Sequence, residues 1–353
     1  MIKFRLPILL LAMVSLITGL LAGLIRIGWG WPLPSIGVHH GAIMVGGFLT
    51  TLIALEKTIP LKRTGLLIIP LLSALTLLMA VNGCYYVGLA FLLAGSIGLF
   101  CVQGFYFIRY PHERSIILML IGACCLVMGN TMLIRNQFYP AAFPWWMGFV
   151  LFTIVGERME LSKFLPVSNR AKAILMTLLA FFPLGVLLPF HHTGKYFSGI
   201  ALIGISVWMM RNDVIQIGLR KEGLVKYSSF ALLLANSFLL LEGIFLVVLP
   251  NTLYAYDILV HVFFVGYGIT MIFAHGPIIL PAVLGLKDKP YHPALYVCVI
   301  LLHSSLLFRI VADSLMLNQG RKYSGAITGI AILLYFITLI VRVVYQRNYV
   351  SAR

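Results

Sequence analysis

The sequence predicts an all-α integral membrane protein: a bundle of about 12 transmembrane helices with its N- and C-termini in the cytoplasm. Hydrophobic residues make up 61% of the 353 residues and charged residues only 10%. That is too few charges to cover the surface of a soluble protein of this length. The apolar residues form long blocks, and the cations concentrate in alternate loops. No soluble domain is apparent, which predicts a single polytopic transmembrane domain over residues 1–353.

The apolar blocks are the predicted helices. Lipid offers no hydrogen-bond partners to backbone groups, so each block is expected to satisfy its own as a helix. About 20 residues at ~1.5 Å each cross the ~30 Å hydrocarbon core. The blocks lie near residues 5–26, 38–55, 65–82, 84–107, 115–134, 143–158, 171–190, 196–210, 227–249, 256–285, 293–316 and 324–343. The short block 196–210 gives the weakest signal.

The lysines and arginines predict the orientation. When the loops are assigned alternately to two sides, one side receives six of these residues: Arg26, Arg135, Lys195, Arg309, Arg321 and Lys322. The other side receives the remaining 20 of the 26. The positive-inside rule makes the cation-rich side cytoplasmic. The formal net charge of +16 therefore indicates orientation beside an anionic lipid bilayer rather than binding to nucleic acid.

Charged and imidazole side chains in or beside the apolar blocks are the candidate functional groups, because their burial in lipid is costly. They are His39, His40, Glu157, Arg158, Glu242, Asp257, His261, His275, His303, Arg309 and Asp313. Glu157 with Arg158 is read as a structural pair, and so is Arg309 with Asp313. Glu242 has no charged neighbour in sequence, which favours proton handling or ligand binding. The alternative for Glu242 is a hydrogen bond to a neighbouring helix.

The histidines form the most suggestive set. His261 and His275 are 14 residues apart, which in a regular α-helix puts them about 40° apart on one stripe and about 21 Å apart in height. His303 lies roughly half way along the following helix, which is expected to run antiparallel beside the first. Pro277 leaves open whether the helix of His275 continues beyond it. Histidines that face one cavity would suit haem iron or copper. The alternative is that each histidine is a hydrogen-bonded packing residue.

Two segments resemble the NnrS family of polytopic bacterial membrane proteins. Residues 38–51 read Val-His-His-Gly-Ala-Ile-Met-Val-Gly-Gly-Phe-Leu-Thr-Thr. They resemble the family's His-x-His-Glu-Met and Gly-Phe-Leu elements, with Gly41 in place of the Glu. Residues 261–271, His-Val-Phe-Phe-Val-Gly-Tyr-Gly-Ile-Thr-Met, resemble a family helix with a leading His followed by glycines and Met. The NnrS family is in turn distantly similar to the haem–copper oxidases.

The resemblance implies haem b, copper or both, held by histidines in a bacterial cytoplasmic (inner) membrane. The implied haem ligands are His40, His261, His275 and His303. The implied copper ligands are His39, His40, His261 and His303. The implied setting is nitric-oxide stress or respiratory redox physiology, with a small gaseous ligand or a respiratory-chain partner, and no catalytic residue is assigned. Two other functions stay open: a proton-coupled small-solute transporter that uses Glu242, and a non-catalytic subunit or assembly factor of a respiratory complex.

Overall fold

The computed structural model describes residues 2–30, 34–163, 165–286 and 288–351. In these ranges the chain forms twelve long helices. They are α1 (Ile2–Arg26), α2 (Ala42–Leu61), α3 (Thr64–Val81), α4 (Tyr85–Arg109), α5 (Arg114–Asn136), α6 (Tyr139–Leu161), α7 (Asn169–Leu187), α8 (Lys195–Asn212), α9 (Gly223–Val248), α10 (Ala255–Leu284), α11 (Ala294–Ser314) and α12 (Asn318–Ser351). Each helix coincides with one apolar block, so the predicted all-helical architecture is confirmed.

Eleven of these helices, all except α8, are long and apolar enough to cross a membrane. The exception is the helix that corresponds to the weak block 196–210. It has 18 residues, but it begins with Lys195 and ends with Arg211 and Asn212, and these polar ends lower its mean hydropathy. The predicted twelfth block is therefore helical, although its composition does not mark it as a membrane span.

Two helices contain π-helical stretches, at Ala42–Thr50 in α2 and Val262–Ile269 in α10. A π-helix closes its hydrogen bonds over five residues and holds more residues per turn than an α-helix. The rotation of 100° per residue that placed His261 and His275 on one stripe therefore does not apply to α10. The same helix continues through Pro277 and Pro281 to Leu284, which answers the question of whether it ends near His275.

The helices belong to two compact units. Unit 1 comprises Met1–Glu160 and Val283–Gly285, and unit 2 comprises Leu161–Ala282 and Leu286–Arg353. Within unit 1, α3 packs along α4 and α4 along α5. Within unit 2, α7 packs along α8, α8 along α9, and α11 along α12. Short connections make these sequential helices antiparallel neighbours.

Helices α8 and α9 approach each other closely through two glycines. A Cβ atom on Gly199 would lie 2.8 Å from the carbonyl oxygen of Gly243, and one on Gly243 would lie 2.7 Å from that of Gly199. Neither position has room for a side chain, since real Cβ atoms do not come so close to a backbone oxygen. Small residues at such contacts are typical of helix pairs in membranes. The contact also determines the setting of Glu242, the residue before Gly243.

Candidate functional site

His40 lies just before α2 and packs against α1 of unit 1. Its Nδ1 is 2.7 Å from the carbonyl oxygen of Gly19. A carbonyl oxygen can only accept, so this nitrogen carries the hydrogen. Gly23 makes room for the ring, because a Cβ atom there would lie 2.9 Å from Cε1 of His40. Met44 also faces α1, with its Cγ 2.9 Å from the position of a Cβ on Gly19. His40, just before α2, and Met44, within it, therefore both contact α1.

His39 contacts different helices from His40. Its ring stacks on Tyr85 of α4, with the ring centroids 3.8 Å apart and the planes at 22°. The Tyr85 hydroxyl lies 3.0 Å from the hydroxyl of Tyr139 in α6. Partial burial lowers the pKa of His39, which favours the neutral ring. The two adjacent histidines thus have separate surroundings within unit 1.

His261 lies in the second turn of α10, beside buried charges of unit 2. Its Nδ1 donates to the carbonyl oxygen of Asp257 at 2.8 Å and lies 3.5 Å from Oδ1 of the same residue. Arg309 of α11 donates to Oδ2 of Asp257 through Nε at 2.9 Å and Nη2 at 2.7 Å. The Arg309 side chain is only 8% exposed. Charge-assisted hydrogen bonds of this kind are among the strongest in proteins.

The predicted pairing of Arg309 with Asp313 is only part of this arrangement. The two side chains lie 3.7 Å apart, but the hydrogen bonds of Arg309 go to Asp257. Asp313 is bound instead by Nε of Arg321 in α12, whose guanidinium lies 3.6 Å from the ring centroid of Tyr254. We call the following residues the charged cluster: Asp257, His261, Arg309, Asp313 and Arg321.

Sequence reasoning missed Arg321, although a signal for it was present. Arg309 and Arg321 are two of the few cations on the cation-poor side, and Asp257, at the start of α10, and Asp313, at the end of α11, fall on that same predicted side. A similar omission concerns Glu157 in unit 1. Its carboxylate lies 2.7 Å from Nζ of Lys57 in α2, so a lysine from another helix is a partner that the pairing with Arg158 did not anticipate.

His275 and His303 are both buried, with exposed fractions of 8% and 5%. In each ring Nδ1 donates, at 2.8 Å, to the carbonyl oxygen four residues earlier in the same helix. Nε2 of His303 lies 3.2 Å from Oγ1 of Thr270 in α10. The expected proximity of α10 and α11 is confirmed by this contact. It brings His303 level with Thr270 rather than with His275.

Glu242 is completely buried in unit 2, with an exposed fraction of 0%. Neither of its carboxyl oxygens has a hydrogen-bond partner among the described residues. Leu239 and Leu246, about one turn away on either side, are also fully buried. The alternative that a neighbouring helix satisfies this carboxyl is therefore wrong for the described part of the chain. An ionised carboxylate in such surroundings is costly unless a ligand or cation neutralises it.

The implied cofactors differ in how well they fit these residues. Among the described residues, no group of three His, Cys, Asp or Glu is close enough to hold a metal ion, so a copper site with three ligands does not fit this arrangement. Haem needs only one or two axial ligands. All four implied haem ligands have an Nδ1–H bonded to a carbonyl oxygen. When such a ring is neutral, its lone pair is on Nε2, the nitrogen that would bind iron.

The comparison with protein families covers almost the whole chain. The family described as "Domain of unknown function (DUF8744)" matches residues 5–344, from the start of α1 into α12. The match includes both segments that carry the histidines and the π-helical stretches. No curated protein and no solved structure matches the chain. The chain therefore belongs to the DUF8744 family.

Proposed function

We propose that this chain is a multi-pass protein of a bacterial cytoplasmic membrane that binds haem b at His40 in unit 1, at His261 in unit 2, or one haem at each. The observation that carries the proposal is the hydrogen bonding of the imidazoles. In each ring Nδ1–H donates to a backbone carbonyl. This hydrogen bond orients the ring and raises the basicity of Nε2, as is usual for histidines that ligate metals.

Two further observations favour His40 and His261 over His275 and His303. Each of the first two lies directly before, or two residues before, a π-helical stretch, and π-helical turns occur frequently at functional sites. They are also the histidines of the two NnrS-like segments. Bound haem would supply an iron able to exchange one electron and to bind a small gaseous ligand.

The proposed orientation puts both termini in the cytoplasm and includes α8 as a crossing. Its 18 residues span about 27 Å at ~1.5 Å each, close to the hydrocarbon thickness. Its glycine contact with α9 is typical of helices packed in lipid. If α8 did not cross, every loop after it would change sides, and the cations would no longer be concentrated on one side, against the anionic leaflet.

Absorption spectroscopy tests the haem proposal. The full chain, expressed in a haem-replete bacterium and purified in detergent, is expected to show a Soret band that shifts on reduction, with about one or two haems per chain by pyridine haemochrome assay. His40→Ala and His261→Ala are expected to lose haem or to change the spectrum. His112→Ala removes an exposed histidine from the turn after α4 and is the matched control. A purified protein with no Soret band, even after incubation with hemin, overturns the proposal.

A second function, proton-coupled transport of a small solute, is favoured by one observation. Glu242 is fully buried and its carboxyl has no partner among the described residues, as expected of a group that alternates between binding a proton and binding a cation or solute. In proteoliposomes with an imposed pH gradient and a pH-sensitive dye inside, solute-dependent proton entry is expected. Glu242→Gln would abolish this proton entry. Adding Gln103→Glu to that variant, which puts a carboxyl at another buried position, would not restore it. Equal proton entry with wild-type protein and with Glu242→Gln contradicts this second function.

A further inference from the structure

Unit 2 contains a cavity of about 170 Å³ where α9 ends and α10 begins. Phe245, Leu246 and Leu249 line one side of it. His191 and Lys195, from the segment that leads into α8, line another. Apolar side chains and a cation therefore border the same partly open cavity.

The residues that line this cavity carry positive charge only. None of its lining residues is acidic. Among the described residues, Lys195 has no carboxylate partner, and its Nζ lies 5.3 Å from the ring centroid of Tyr196. The first turn of α10 also borders the cavity at Ala255, and no side chain caps that helix start. Asp257 already occupies that turn, so the attraction for an anion at this cavity comes from Lys195.

Size and polarity together restrict the ligand. The volume is below the ~300–1,000 Å³ of sites for drug-sized molecules, so only a small ligand fits. The three apolar side chains from α9 favour a hydrocarbon part over a fully hydrated ion such as free phosphate. The lysine favours one negative charge at the other end, where an ion pair would form.

We propose that this cavity binds a short-chain carboxylate. Lys195 pairs with the carboxylate, and the hydrocarbon chain packs against Phe245, Leu246 and Leu249. The proposal is independent of haem binding, because it uses none of the histidines implied as haem ligands. It assigns the DUF8744 chain a recognition site for small amphipathic anions.

Isothermal titration of the full-length protein in a non-ionic detergent tests the site. Butanoate and hexanoate are the probes, and butan-1-ol is the uncharged control. Hexanoate is expected to bind up to about 15-fold more tightly than butanoate, since each of its two additional CH₂ groups contributes about 0.8 kcal/mol when buried. Butan-1-ol is expected to bind at least tenfold more weakly than butanoate because it cannot pair with Lys195.

Two variants test the roles of the residues. Lys195→Gln is expected to weaken hexanoate binding roughly tenfold, whereas Lys221→Gln, the same change at an exposed lysine before α9, leaves it unchanged. Leu249→Trp fills the cavity without changing charge and is expected to abolish binding. If Leu249→Trp fails to fold, the comparison of Lys195→Gln with Lys221→Gln and the butan-1-ol control still test the proposal.

Three results overturn the proposal. The first is equal hexanoate affinity of Lys195→Gln and wild-type protein. The second is butan-1-ol binding as tightly as butanoate. The third is a lipid occupant: no carboxylate binds, but phosphatidylglycerol nanodiscs raise the unfolding temperature above that in phosphatidylcholine nanodiscs in a Lys195-dependent way. That third result would identify the anion as a lipid headgroup.

Discussion

The segments around His40 and His261 have similar local geometry, but different contacts orient the two imidazole rings. In both, a histidine is followed at once or after one residue by a π-helical stretch of eight or nine residues. In both, Nδ1–H donates to a backbone carbonyl. The acceptor for His40 belongs to another helix, at Gly19 of α1, whereas the acceptor for His261 is one turn away in its own helix.

This difference shows that similar ring positions can depend on unlike forces. His40 is oriented by close packing of α1, which Gly19 and Gly23 permit because they lack side chains. His261 is oriented by its own helix and by the charged cluster, in which Arg309 binds Asp257. We therefore expect steric changes to disturb the first segment and charge changes to disturb the second.

The largest loss of stability is expected from Arg309→Met, which disturbs the charged cluster beside His261. It removes the guanidinium that makes two hydrogen bonds to the Asp257 carboxylate, which is 25% exposed and keeps Arg321 at 3.6 Å. Breaking a fully buried ion pair typically costs about 3–5 kcal/mol, so a loss at the lower end of that range is expected here. Thermal unfolding of the purified protein in detergent is expected to shift down by several degrees. In the double variant Asp257→Asn/Arg309→Met the loss should be smaller than the sum of the two single losses. Strict additivity would contradict the proposed pairing.

Gly23→Ala tests the first segment and is expected to have the next largest effect. The added methyl group would meet the ring of His40 at 2.9 Å, and overpacking of this kind costs about 1–3 kcal/mol. Gly104→Ala in α4 is the matched control, because a Cβ atom there meets nothing within 4 Å. The control is expected to be neutral or slightly stabilising. Equal unfolding temperatures for the two variants would show that His40 does not depend on the space at Gly23.

Thr270→Val, in unit 2, is expected to cause a smaller loss of stability. It removes the hydroxyl that lies 3.2 Å from Nε2 of His303, so a loss of about 0.5–1.5 kcal/mol is expected. Thr131→Val is the control, since that hydroxyl bonds only the Val127 carbonyl of its own helix. A larger loss for Thr131→Val than for Thr270→Val would argue against the contact with His303.

His39 should produce the smallest effect, visible only as a pH dependence. Burial lowers its pKa, so the unfolded chain binds a proton more readily than the folded chain. Its contribution to stability is therefore present above the unfolded pKa of about 6.5 and is lost as the pH falls through that value. His39→Phe keeps a ring against Tyr85 and removes the titration. Between pH 7.5 and 5, the unfolding temperature of the variant is expected to fall less with decreasing pH than that of the wild-type protein. An equal fall in both proteins would exclude His39 as the cause.

The residues of the candidate site were easier to predict from the sequence than the contacts between them. The histidines, Glu242 and the acidic groups of the charged cluster were recognisable because polar residues stand out in apolar blocks. The partners were not, since Arg321 and Lys57 reach carboxylates on other helices. Sequence spacing predicted the i, i+4 pair of Arg309 and Asp313, but the better geometry lies across helices. The π-helical stretches were also missed, because their residues are as apolar as those of a regular helix.

The sequence by itself determined that this protein is a set of long apolar helices. It determined their limits to within four residues, except at the end of α2 and at both ends of α12, where the differences are six to eight. The reason is local: apolar runs of that length satisfy their backbone hydrogen bonds only within themselves. Tertiary structure alone decided which side chains meet. Among the described residues it left the Glu242 carboxyl without a hydrogen-bond partner, placed His40 against two glycines of α1, and formed a partly open cavity beside Lys195. Such contacts depend on how helices approach each other in space, which the order of residues along one helix does not specify.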